Sequence, residues 1–184
     1  MAGTSDVVLV DLFDQPVGTA SKADAHRLGL LHRAFSVFLL DGQGRVLLQR
    51  RASGKYHSAG LWANTCCSHP TPGEDVLAAA KRRLKEELGI EIAKSKHESL
   101  TDVGTFTYRH PFELDLCEYE LDHVIVGECD RCEAEPDPRE VGSISWVNLD
   151  ELADRLMTEP ESFAVWVPGT MAIVLAWLQA TREG

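Results

Sequence analysis

Residues 72–89 read Pro72-Gly73-Glu74-Asp75-Val76-Leu77-Ala78-Ala79-Ala80-Lys81-Arg82-Arg83-Leu84-Lys85-Glu86-Glu87-Leu88-Gly89. Leu77, Ala80, Leu84 and Leu88 recur at helical spacing. Pro72 to Asp75 supply a start and Gly89 a stop, which makes this the clearest helix in the chain. Outward on both sides the pattern becomes extended. Upstream, residues 7–10 predict a short strand, 14–18 a turn, and 34–40 with 45–50 a hairpin closed by Asp41-Gly42-Gln43-Gly44. Residues 52–57 read as an exposed loop and 61–66 as a buried strand. Downstream, residues 101–108 and 114–128 are β-rich, and 133–140 form an acidic loop carrying Pro136 and Pro138. A short strand over 143–147 precedes helices over 149–157 and 163–180, the second starting unevenly around Pro168-Gly169. This order predicts an α+β fold, a mixed β-sheet flanked by α-helices, as a single domain over residues 1–184.

The 184 residues carry 18 Lys plus Arg against 29 Asp plus Glu, so 18 − 29 gives a net charge of −11. With 44% apolar and 26% charged residues, the chain is neither disordered, fibrous nor a small disulfide-stapled scaffold. An acidic surface argues against nucleic acid or an anionic membrane as partner. An anionic small-molecule substrate would then need cations gathered locally. No run approaches the ~20 apolar residues of a membrane span, and residues 1–15 lack a signal-peptide pattern. A cytoplasmic location with reduced thiols is expected. Of the five cysteines, adjacent Cys66 and Cys67 are poorly placed for a structural disulfide, and Cys129-x-x-Cys132 is half a metal or redox motif without its other half.

Glu74, Arg82, Glu86, Glu87, Gly89 and Ile90 fall on the spacing of a Nudix box, the loop-helix-loop that holds Mg²⁺ on a diphosphate. Ser68 stands where that pattern begins with Gly, and Arg83 where the hydrolases carry a metal-binding Glu. A hard cation on a diphosphate wants several carboxylate oxygens, so Arg83 weakens the hydrolase reading. Taken alone, Arg83 and Glu87 read as a surface i,i+4 salt bridge. Glu118 and Glu120 sit two apart in a strand, so both carboxylates face one side, shared with Leu114 and Leu116. Such a like-charged pair is costly unless a cation or proton neutralises it.

Trp62-Ala63-Asn64-Thr65-Cys66-Cys67-Ser68-His69-Pro70 resembles the signature of the type I isopentenyl diphosphate isomerases, Nudix-superfamily members with a modified box. Residues 22–32, Arg50-Arg51-Ala52-Ser53-Gly54-Lys55, the Arg82-Arg83 pair, Glu118-Tyr119-Glu120 and Trp166 extend the likeness over most of the chain. The resemblance implies a Nudix-like fold and conversion of isopentenyl to dimethylallyl diphosphate by antarafacial proton addition and abstraction. It maps the catalytic pair onto Cys67 and Glu120, with Tyr108 assisting. Lys22, Arg51, Lys55 and Arg83 map onto diphosphate-binding positions, and Trp166 onto the ring that faces a developing cation. His26, His32, His69, Glu118 and Glu120 map onto a divalent-metal site (Mn²⁺ or Zn²⁺, or Mg²⁺). Glu87 with the Cys67 main-chain carbonyl maps onto an Mg²⁺ site. His57, His97, His110 and His123 have no mapped role and read as surface or packing residues. A Nudix hydrolase of a nucleoside diphosphate derivative is the alternative, and a catalytically dead binding module a third reading.

Overall fold

The computed structural model describes residues 6–92, 99–113, 116–129 and 132–183. In chain order come β1 (Asp6–Val10), β2 (Pro16–Ser21), α1 (Lys22–Leu28), β3 (His32–Leu40), β4 (Arg45–Arg51), β5 (Trp62–Ala63), β6 (Cys66–Ser68) and α2 (Val76–Leu88). They are followed by β7 (Leu100–Pro111), β8 (Cys117–Glu128), β9 (Val141–Asn148), α3 (Leu149–Thr158), a 3₁₀ turn at Pro160–Ser162 and α4 (Val167–Glu183). The architecture is the α+β arrangement expected, with strands in one mixed sheet.

Helix α2 forms where the apolar spacing puts it. The Asp75 side chain accepts from Ala78 N at its start, and Gly89 ends it with φ 68°, a left-handed conformation that suits glycine. The predicted hairpin is less simple. Strands β3 and β4 pair at Leu40↔Val46 and then part, because β3 takes β6 and β8 as neighbours while β4 takes β9 and β5. Residues 64 and 65 wedge into the split. Thr65 Oγ1 accepts from Leu39 N (2.9 Å) and donates to Leu47 O (2.6 Å), and Asn64 Nδ2 donates to Val37 O (3.2 Å). Those side-chain bonds replace ladder bonds the parted strands cannot make. They also interrupt the strand expected over 61–66, leaving β5 and β6 as separate pieces.

Strand β8 runs parallel to β3 from His32↔Glu120 to Leu40↔Glu128, and antiparallel to β7 on its other side. Alternation then sorts the core into two layers. Phe35, Val37 and Leu39 of β3 and Ile125 of β8 pack with Ala80, Leu84 and Leu88 of α2. Phe38, Leu40, Val124 and Val126 face the opposite way, onto Val167, Met171 and Val174 of α4. Continuing that second face towards the start of β8 gives Asp122, Glu120 and Glu118, and along β3 gives Ser36 and His32. One face of the central strands therefore changes from apolar core to charged site along its length.

Several expectations need correction. Pro16 to Gly18 belong to β2 rather than to a turn. Residues 163–166 are not helical: Phe163 bridges Trp62, Ala164 N donates to Trp62 O (2.8 Å), and α4 starts at Val167. Residues 52–57 are not simply an exposed loop, since Ala52 and His57 are buried. Cys129 and Cys132 are joined in a disulfide, against the expectation of reduced thiols, where the chain leaves β8 and the Cα atoms come within 5.7 Å. Leu114 and His97 lie outside the described residues. Among the described residues, no helix is long and apolar enough to cross a membrane.

Candidate active site

The charged end of that sheet face is covered by α1, the 52–61 loop and the segment before α4, around a cavity of about 60 Å³. Its lining brings together Lys22, Arg51, Lys55, Arg83, Cys67, His69, Tyr108, Glu118, Glu120 and Trp166, residues marked in the sequence across almost its whole length.

Glu118 and Glu120 are both buried, and one hydroxyl serves both: Tyr108 Oη lies 3.0 Å from Glu118 Oε2 and 2.8 Å from Glu120 Oε2. A single O–H proton donates to one carboxylate at a time, so the pair needs further positive charge. Imidazoles surround the other Glu120 oxygen. His69 Nε2 lies 2.9 Å, His32 Nε2 3.4 Å and His26 Nε2 3.9 Å from Glu120 Oε1. Burial alone would raise the Glu120 pKa, but His69 and His32 outweigh it and hold the carboxyl well below its usual range. Burial, reinforced by Lys22, lowers His26 to about 2 and His69 to about 3, so these rings are neutral at pH 7.

His32 Nδ1 sits 2.8 Å from Leu30 O, which fixes the proton there and leaves the Nε2 lone pair facing Glu120. Two acceptors thus confront each other. Among the described residues, the buried Nε2 atoms of His26 and His32 find no hydrogen-bond partner. His26, His32, His69 and Glu120 can bring ligand atoms within 4.8 Å of one another, and so can His26, His57 and Glu118. Orphaned imidazole nitrogens beside carboxylate oxygens fit a divalent cation, and the mixed donor set suits Zn²⁺, Mn²⁺ or Mg²⁺.

Cys66 and Cys67 point to opposite faces of β6. Cys66 is fully buried in the layer under α2, whereas Cys67 reaches the cavity with Arg51 Nη1 3.6 Å from its sulfur. Burial, partly offset by Arg51, pushes the Cys67 thiol up to about 12, so it stays protonated. The indole of Trp166 lines the cavity, donates from Nε1 to Asn64 Oδ1 (3.0 Å) and carries the Arg51 guanidinium 5.3 Å from its centre. Trp166 is therefore a buried core residue and a cavity wall at once.

Arg83 is not a surface partner of Glu87. Glu87 is only 3% exposed, receives Arg83 Nε at 3.1 Å and has Gln49 Nε2 3.4 Å from its second oxygen. Arg83 is held above its ordinary pKa because Glu87 more than offsets burial. Lys55 pairs with Glu140, which also lies 3.8 Å from Arg83. Of the other box carboxylates, Glu74 takes Arg82 at 2.7 Å and 2.8 Å, while Glu86 takes Arg83 at 2.8 Å and Arg82 at 3.3 Å.

Sequence reasoning missed two contributors. His57, read as a surface or packing residue, is buried with Nε2 2.9 Å from Glu118 Oε1. Asp122 was legible, since it follows Glu118 and Glu120 at strand period two. Burial, then Glu120, pushes its pKa well above the usual carboxylate value, and Ser36 Oγ donates to it at 2.7 Å. His123 lies on the other face, between Asp102 (2.6 Å) and Asp14 (3.1 Å).

A mixed sheet flanked by helices, with a buried His/Glu cluster beside Lys22, Arg51, Lys55 and Arg83, defines the class. The chain matches the NUDIX domain over residues 30–167. It is 48% identical over 87% of its length to an isopentenyl-diphosphate Delta-isomerase of Serratia proteamaculans, covering 86% of that protein. It is 45% identical over 97% of its length to the enzyme of that name in Pectobacterium atrosepticum, covering 96% of it. Among solved structures, a Deinococcus radiodurans protein is similar at TM-score 0.67 and 23% identity, over 84% of this chain and 90% of that one. A MutT NUDIX hydrolase from Burkholderia pseudomallei is similar at TM-score 0.60 and 20% identity, over 78% and 98%. These two likenesses speak to fold alone. This chain belongs to the NUDIX domain family, within the group formed with its isopentenyl-diphosphate Delta-isomerase relatives.

Proposed function

We propose that this protein, acting as a single domain, isomerises isopentenyl diphosphate to dimethylallyl diphosphate. The carrying observation is a cavity in which a protonated thiol, Cys67, and an ionised carboxylate, Glu120, share one enclosed space. Moving the double bond requires one proton added and one removed on opposite faces, so the site must hold one transferable proton and one vacant proton position. At neutral pH that proton is on Cys67 and the vacancy on Glu120. Because the reaction is reversible, the two exchange duties with direction. Tyr108, in contact with Glu120, supplies an O–H through which that carboxylate can regain or lose its proton.

Lys22, Arg51, Lys55 and Arg83 bind the diphosphate, whose arrival takes Lys55 from Glu140. The Trp166 ring faces the carbon that becomes positive, where cation–π attraction contributes up to ~2 kcal/mol, about 30-fold in rate. Burial of the cavity keeps water from competing for protons. His26, His32, His69, Glu118 and Glu120 would hold one divalent metal, and Glu87 with the Cys67 main-chain carbonyl would hold Mg²⁺. Such cations supply charge neutralisation to the paired carboxylates and to the diphosphate. Neither nucleic acid nor a membrane is a partner in this reading, and the cytoplasm is its setting.

The test is incubation of purified protein with Mg²⁺ and isopentenyl diphosphate in deuterated water. The allylic isomer carrying solvent deuterium is expected. Release of orthophosphate, or no product, would defeat the proposal in favour of a hydrolase or a binding module.

A further inference from the structure

His57 is outside the five residues that form the expected metal site, yet the structure ties it to one of them. Its Nε2 lies 2.9 Å from Glu118 Oε1, and its Nδ1 lies 3.3 Å from Ser58 Oγ. A carboxylate only accepts. Nε2 therefore donates its proton to Glu118, and Ser58 Oγ stands beside Nδ1. A nitrogen that donates its proton to a carboxylate is not at the same time a metal ligand. His57 must act through Glu118.

The opposite oxygen of Glu118 lies 3.0 Å from Tyr108 Oη, whose one proton Glu120 contests at 2.8 Å, so the His57 N–H from the 52–61 loop is a donor that Glu118 need not share with Glu120. The imidazole is itself wedged. Tyr56 packs edge-on at 4.4 Å between ring centres and Phe112 lies at 4.8 Å. Donor atoms of His57, Glu118 and His26 all come within 4.8 Å of one another, and His26 also belongs to the group around Glu120.

We infer that His57 is a positioning residue of the divalent-metal centre, donating to Glu118 and presetting that carboxylate for the cation. The inference rests on reading the His/Glu cluster as a metal centre. Partners of this kind are commonly worth 10- to 100-fold in metal affinity.

The experiment is calorimetric titration of Mn²⁺ into the metal-stripped full chain as wild type, His57→Ala and His57→Gln, with thermal melts of all three. His57→Ala is expected to bind Mn²⁺ roughly 10- to 100-fold more weakly. His57→Gln, whose amide N–H reaches a similar point, should recover most of that loss, and it carries the test if the Ala variant does not fold. Saturating Co²⁺ should give the same absorption bands in wild type and His57→Ala, since no ligand has been removed. Equal Mn²⁺ affinity in wild type and His57→Ala overturns the inference. So does a Gln variant that folds but binds as weakly as Ala, or a changed Co²⁺ spectrum, which would make His57 a ligand. No substrate enters these measurements, so a protein that depends on His57 for Mn²⁺ yet fails to isomerise keeps this assignment and loses the other.

Discussion

At the residue scale, neighbouring side chains with the same chemistry meet opposite fates. Cys66 and Cys67 are both thiols, but β6 alternation buries one under α2 and opens the other to the cavity. Cys67→Ala should abolish turnover with little change in melting temperature. Cys66→Ala should keep turnover and lose ~1–2 kcal/mol of stability from a small core void. Rate assays beside thermal melts decide this, and equal rate losses would refute the assignment. The same logic sharpens the expectation for Trp166. A π-face alone would make Trp166→Phe mild, but the indole N–H also satisfies Asn64 Oδ1, which holds the wedge between β3 and β4. Phe should therefore cost ~1–3 kcal/mol in stability while keeping most of kcat. Leu should cost similar stability and about tenfold or more in kcat. A Phe variant melting like the wild type would show that the Asn64 bond is dispensable.

At the scale of elements, what was readable depended on whether neighbours in sequence were neighbours in space. Helix α2 and the shared face of Glu118 and Glu120 follow from local periodicity. The parting of β3 from β4 does not, because its cause is Thr65 and Asn64 arriving from a later segment. His57 was hidden for a similar reason: a loop of Ser, Gly, Lys and Tyr looks solvated until α1 and β8 close over it. Helix α4 shows a contact that composition conceals. A Cβ on Gly169 would meet Phe106 Cζ at 2.2 Å, and Phe106 stacks on Tyr108 with ring centres 5.7 Å apart. Gly169→Ala should gain ~0.5–1 kcal/mol from helix propensity alone. Overpacking of ~1–3 kcal/mol should exceed that gain and displace Tyr108. A lower melting temperature with kcat down roughly tenfold is expected; a variant more stable than wild type would disprove the contact.

For the whole molecule, an acidic chain of net charge −11 gathers four cations, Lys22, Arg51, Lys55 and Arg83, beside Glu118, Glu120 and His69 around one cavity. That arrangement links stability to pH. His26 and His69 have folded pKa values of about 2 and about 3, below the ordinary 6.5. Between pH 6.5 and 3 the unfolded chain binds protons that the folded chain refuses. Their contribution is present above pH 6.5 and lost as pH falls through that window. Metal-stripped protein should thus melt progressively lower from pH 6.5 to 4, and a divalent cation at pH 7 should raise its melting temperature. Melts flat across that range would contradict the neutral-histidine reading.

The direct pairing of His32 with Glu120 across the parallel β3–β8 ladder also has a consequence for biosynthesis. His26, His32 and His69 leave the ribosome before either Glu118 or Glu120 exists. At roughly 5–20 residues per second, the nascent chain carries its imidazoles for several seconds without the carboxylates. Strand β8 must then pair with β3, carrying β7 on its other edge, a non-local closure of the kind that slows folding. In the proposed metal site, full coordination would therefore be a late event, and capture of a cation would mark a chain whose central sheet has closed.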